Sequence, residues 1–95
     1  WEAEKPDDAF LKFGIAQEYV SAGRDVDALK YFALLIKKFP EYLPTYYQLG
    51  KLFERMGRNE DAKEVYESGK DVAHANGDMK TLRELNEAIT QLEDE

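Results

Sequence analysis

One phrase is written twice in this chain. Gly23 opens GRDVDALKYF, and Gly57, 34 positions later, opens GRNEDAKEVY. Gly, Arg, Asp and Ala stand in register in the two copies, and Phe32 is answered by Tyr66. This restricts a chain of 95 residues to stacked supersecondary units. One helical hairpin cannot bury its apolar face alone, so the unit is repeated and a second copy is laid against the first.

The flanking pattern is helical. In the segment from Pro6 to Ala22, Leu11, Ile15, Tyr19 and Ala22 fall at i, i+4, i+8 and i+11 and read as the core stripe of a first helix. Gly23 stops it, because glycine accepts the left-handed conformation that follows a helix. Asp25 is expected to cap a second helix, which runs to about Phe39 and is ended by Pro40. Pro44 opens a third helix, with Tyr46, Leu49, Gly50 and Phe53 inward and Gly57 as its stop. Asn59 is expected to cap a fourth helix carrying Ala62, Val65, Tyr66 and Gly69. No proline stands at the place of Pro40, so this helix should continue to Asn76 and Gly77. A fifth helix starts near Asp78. Met79, Leu82, Leu85, Ile89 and Leu92 form one narrow stripe on it, while Lys80, Arg83, Glu84, Glu87, Gln91 and Asp94 cover the rest.

Composition narrows the function classes. The 20 acidic residues outnumber the 13 basic ones, giving a formal net charge of −7. The basic residues are interleaved with the acidic ones, which speaks against a nucleic-acid partner, whose phosphates need a basic face. No apolar run approaches the ~20 residues of a membrane span, so no membrane insertion is expected. Cysteine is absent, which removes disulfides and thiolate metal sites. The chain begins at Trp1 rather than Met and reads as a piece of a longer protein. The compartment is not legible, with the cytoplasm slightly favoured.

A helix–turn–helix unit repeated at 34 residues resembles the tetratricopeptide repeat. In repeat one (9–42), Ala16, Tyr19, Ala28, Phe32 and Pro40 stand at the signature positions of that family. In repeat two (43–76) they are Leu49 with Gly50, Phe53, Ala62, Tyr66 and Gly69. Two departures stand in repeat one: Lys12 holds the place of a large aromatic residue, and Leu35 that of a small one. The resemblance implies an all-α, right-handed superhelical stack of antiparallel helix pairs. It would comprise five helices in a single domain over 7–95, with a capping helix at 78–93 and a loose N-terminal arm over 1–6. The small residues would let paired helices approach closely while the aromatics fill adjacent holes.

Function follows from the same resemblance. Domains of this family bind peptides on the concave face lined by the first helix of each repeat. On that pattern Phe10, Phe13, Gln17 and Val20 lie on the groove side of helix one, and Tyr47, Lys51, Glu54 and Arg55 on that of helix three. The expected peptide-binding residues are therefore Phe10, Phe13, Gln17, Tyr47, Lys51 and Arg55, with a protein or peptide as partner. Lys51 and Arg55, one turn apart, suit a carboxylate. The carboxylate clamp of some family members is not carried over, because its positions hold Phe13, Gln17 and Gln48. The alternative is a self-association module, a homodimer or a fragment of a longer scaffold, with the aromatic stripe buried by self-contact. Two repeats plus a cap is the minimum for a stack, which keeps that alternative open.

No enzyme chemistry is indicated. His74 is the single histidine and stands at a helix end. ESGKD lacks the spaced glycine and the Ser or Thr of a phosphate loop, and DVD at Asp25–Asp27 lacks the rest of a calcium loop. No cofactor and no metal site are implied.

Overall fold

A computed structural model describes residues 6–94. Among them are five helices and no strand: α1 (Pro6–Ser21), α2 (Asp25–Lys38), α3 (Pro44–Arg55), α4 (Asn59–Ala75) and α5 (Met79–Glu93). The chain divides into two compact units, Trp1–Tyr42 and Leu43–Glu95. In the first, α1 packs on α2; in the second, α4 packs on both α3 and α5. Of the N-terminal arm expected over 1–6, only Pro6 is described, and it is the first residue of α1. Trp1 and Glu95 lie outside the described residues.

The repeated phrase is a turn device. Gly57 has φ +77°, a region where a side chain is strained and glycine is not. Its N–H donates to the Glu54 carbonyl (3.0 Å) and the Arg58 N–H donates to the Phe53 carbonyl (2.8 Å), the paired bonds of a Schellman closure. Gly23 and Arg24 make the same two bonds, to Val20 and Tyr19, at 3.1 and 2.9 Å. The arginine after each glycine then works in both directions. Arg24 lies over the Tyr19 ring (5.3 Å) and Arg58 over the Phe53 ring (4.8 Å), both behind the turn. Ahead of the turn, Arg24 pairs with Asp27 (2.8 Å) and Arg58 with Asp61 (2.7 Å). Each arginine thus clamps the end of one helix to the start of the next, which accounts for the Gly-Arg-x-x-Asp spacing.

Two helix starts differ from the expected caps. Asp25 and Asn59 are the first helical residues, not caps; Arg24 and Arg58 occupy the cap positions, without a side-chain cap bond. The paired acids Asp27 and Asp61 still lie in the first turn, where they favour the positive helix end. The third turn changes chemistry. Asp78 follows Gly77 and caps α5 through its side chain, accepting from the Thr81 N–H (3.1 Å) and the Thr81 hydroxyl (2.8 Å). These bonds favour the carboxylate and hold Asp78 below the usual aspartate range.

The cores follow the small-residue logic, with one correction. Ala16, Ala28, Phe32 and Leu35 are buried in the first unit, and Tyr46, Leu49, Ala62, Tyr66, Leu85, Ala88 and Ile89 in the second. The expected core stripe of helix one is misplaced, however. Leu11 is 62% exposed and Ile15 40%, and Ala22 is exposed too. Helix one carries two apolar stripes, and the inward one runs through Ala9, Ala16 and Phe13. Phe13 packs against Phe32 (6.2 Å between ring centroids) and edge-on against Tyr42 (5.6 Å).

In the second unit, backbone approach is set by glycine. A Cβ on Gly50 would stand 2.1 Å from the Tyr66 ring, and one on Gly69 would meet Tyr46 and Leu85 at 2.7 and 2.9 Å. Gly69 therefore lets α4 contact α3 on one side and α5 on the other.

Candidate interaction site

In the first unit, the predicted residues are divided. Phe10 is 66% exposed. Phe13 is half-buried in the cluster with Phe32 and Tyr42, so its ring serves packing. Gln17 is half-buried as well.

In the second unit, Tyr47 is half-buried and rests on the cluster of Ala62, Tyr66, Leu85, Ala88 and Ile89, with its ring 6.2 Å from that of Tyr66. Lys51 stands over the Tyr47 ring (5.4 Å) and reaches towards Glu54 at 3.9 Å. Arg55 is exposed at the last turn of α3. Behind them, the Tyr66 hydroxyl donates to Glu54 Oε2 at 2.5 Å. Burial, aided by the hydrogen bond and negative charge of Glu54, pushes the Tyr66 phenol far above its ordinary range. Lys51 is thus already engaged by a carboxylate and a ring, which weakens the reading of Lys51 as a carboxylate receptor.

Beside Tyr47 a groove of about 280 Å³ opens between α3 and α5, lined by Tyr47, Glu84, Glu87, Ala88 and Gln91. The aromatic ring and the Ala88 methyl give it an apolar wall; two carboxylates and an amide give it a polar one. Glu84, Glu87 and Gln91 are exposed. Sequence reasoning assigned these three to plain solvent cover on a capping helix. The available signal was their spacing: 84, 87, 88 and 91 fall at i, i+3, i+4 and i+7, one continuous stripe beside the buried Leu85 and Ile89. Tyr47 is the residue of the predicted set that lines this groove.

Among the described residues no three His, Cys, Asp or Glu side chains converge as metal ligands. No helix among them is long and apolar enough to cross a membrane.

Comparison with known proteins agrees with the geometry. The tetratricopeptide repeat pattern matches residues 8–42 and 45–68. A tetratricopeptide-repeat-containing protein of Pseudomonas aeruginosa is 26% identical over 91 residues, 96% of this chain and 87% of that protein. A tetratricopeptide repeat domain protein of Salinibacter ruber, solved in solution, is 40% identical. It superimposes with a TM-score of 0.88, covering 96% of this chain and 92% of that one. A Bordetella parapertussis protein, 24% identical, shares the fold at a TM-score of 0.81, over 90% of this chain and 75% of its own. Such repeats are generally protein–protein interaction modules without catalytic activity of their own. On the repeated turn, the paired small residues and these matches, the chain belongs to the tetratricopeptide repeat family.

Proposed function

We propose that this protein binds a segment of a partner protein or peptide, without a reaction of its own, and that the second unit receives it along α3 and α5. The observation that carries this reading is the groove beside Tyr47: it joins an aromatic wall to polar groups at its rim, the mix that fixes an extended segment. Tyr47 forms the α3 side, with Lys51 against its ring outside the groove and Arg55 one turn beyond Lys51. Phe10, Phe13 and Gln17 belong to the first unit, where Phe10 offers the most accessible ring among the described residues. A photo-crosslinking residue at Gln91 in the groove, compared with one at the exposed Ser68 on α4, tests this. One identified protein should be trapped from Gln91 in extract of the source organism and not from Ser68. Equal trapping from both positions would contradict the reading.

A second reading, self-association, has its own support. Leu11 and Ile15 occupy the positions of repeat one that hold Thr45 and Leu49 in repeat two. Thr45 and Leu49 are 0% and 5% exposed, whereas Leu11 and Ile15 stand open. An uncovered apolar face of this kind suits a second copy. Sedimentation equilibrium separates the readings: a dimer dissociated by Leu11→Glu supports assembly, and a monomeric wild type excludes it.

A further inference from the structure

The rim of the Tyr47 groove specifies the chemistry of its occupant. Glu84 and Glu87 lie one turn apart on α5, both exposed, and neither pairs with a basic side chain among the described residues. The acids at the repeated turns, Asp27 and Asp61, are each neutralised by an arginine of the chain itself, and Glu93 is paired with Lys63 at 2.9 Å. The groove carboxylates are left for an outside cation. Tyr47 supplies an aromatic ring to the groove, a surface against which a cation is attracted, as Lys51 is at 5.4 Å. Lys51 itself does not line the groove. The Gln91 carbonyl adds an acceptor.

We infer that the groove receives an arginine-bearing segment of the partner, the guanidinium lying against Tyr47 and forking towards Glu84 and Glu87. This rests on the proposed interaction function and names the partner chemistry. Arginine fits better than lysine because its planar fork matches carboxylates and its face stacks on an aromatic ring. The net charge of −7 draws a basic segment towards the protein. A free peptide carboxylate would meet Glu84 and Glu87 with like charge, while Lys51 is held by Glu54.

The test is NMR titration of the isotope-labelled protein with three peptides of one length, Ac-ARARA-NH2, Ac-ALALA-NH2 and Ac-AEAEA-NH2. The arginine peptide should shift the amide signals around Tyr47, Glu84, Glu87, Ala88 and Gln91 saturably, and the other two should shift them little. Added salt should weaken the effect. In a Glu84→Gln, Glu87→Gln protein whose spectrum shows it folded, affinity should fall about tenfold, as expected when a charge-assisted hydrogen bond is lost. Preference for the leucine or glutamate peptide at these same residues would overturn the arginine assignment and leave the groove as a binding site. Arginine-peptide shifts confined to other surfaces, or undiminished in the double variant, would also overturn it. Failure of all three peptides would overturn it too; the crosslinking comparison at Gln91 then decides separately whether the groove binds protein.

Discussion

Tyr66 donates a 2.5 Å hydrogen bond to Glu54 at two positions where the first repeat carries Phe32 and Val20. The two repeats solve one packing problem with different chemistry. Repeat one has hydrocarbon at all the equivalent positions, Phe32, Val20 and Ala16, with Phe32 and Ala16 fully buried. Tyr66 lies against Gly50, and its hydroxyl reaches the carboxylate on the next turn of α3. The hydroxyl belongs to a fully buried side chain, so it needs that partner.

A double-mutant cycle measures the pair. Tyr66→Phe should lower stability by about 1.5 kcal/mol, the low end for a hydrogen bond to a charged group, since Glu54 keeps Lys51. Glu54→Val should cost about 1–3 kcal/mol by stranding the hydroxyl. The double variant copies the first repeat and should recover at least about 1 kcal/mol of the summed loss. Strict additivity in urea unfolding would show the two groups to be uncoupled.

Alkali should unfold the protein through the same tyrosine. The Tyr66 phenol is raised above the ordinary value of 10.0, with Tyr42 and Tyr46 raised by burial as well. A raised acid binds its proton more tightly in the folded state. Its contribution to stability is therefore complete below pH 10 and is lost as pH climbs towards the folded-state value. Stability should fall with pH above about 10, and Tyr66→Phe should flatten that fall. The last phenolate absorbance to develop should rise together with the loss of circular dichroism in the wild type. Free titration of all tyrosines before unfolding would contradict this.

Two glycines should respond oppositely to the same substitution. A Cβ on Gly14 would have nothing within 4 Å, and the residue lies exposed inside α1. Gly14→Ala should stabilise by about 0.5–1 kcal/mol through helix propensity. Gly50→Ala would drive a methyl into the Tyr66 ring, and the overpacking cost of about 1–3 kcal/mol should outweigh the propensity gain. Thermal melts of the two variants should therefore move in opposite directions. A rise for Gly50→Ala would mean that α3 and α4 separate easily.

Much of this architecture is legible in the sequence because glycine, proline and small residues act locally. Gly23, Gly57 and Gly77 end helices by their own conformation, Ala28 and Ala62 are fully buried, and a side chain on Gly50 would meet the Tyr66 ring. What periodicity cannot decide is which of two apolar stripes faces inward. Leu11 and Ile15 keep perfect helical spacing and are exposed, while Phe13 turns in to meet Phe32 and Tyr42. Arg24 and Arg58 were visible as repeats, but their grip on Tyr19 and Phe53 depends on chain reversal, which brings residues together that share no helical face. The groove escaped for a related reason. Glu84, Glu87 and Gln91 look like ordinary solvent cover until α5 is laid beside Tyr47.

The groove between α3 and α5 is proposed to receive a partner along its exposed rim of Glu84, Glu87 and Gln91, which stands outside the core. Tyr47→Ala tests it poorly, because Tyr47 also packs on Tyr66. Gln91→Trp is the sharper variant: Gln91 is exposed and lines the groove, so an indole there fills the site and leaves the core alone. Calorimetric titration of the crosslinked partner, once identified, into wild-type and Gln91→Trp protein provides the measurement, with a thermal melt of each. The account predicts an unchanged melting temperature and at least about a tenfold loss of affinity, the scale of one obstructed anchor. Full-strength binding by a folded Gln91→Trp protein would contradict it.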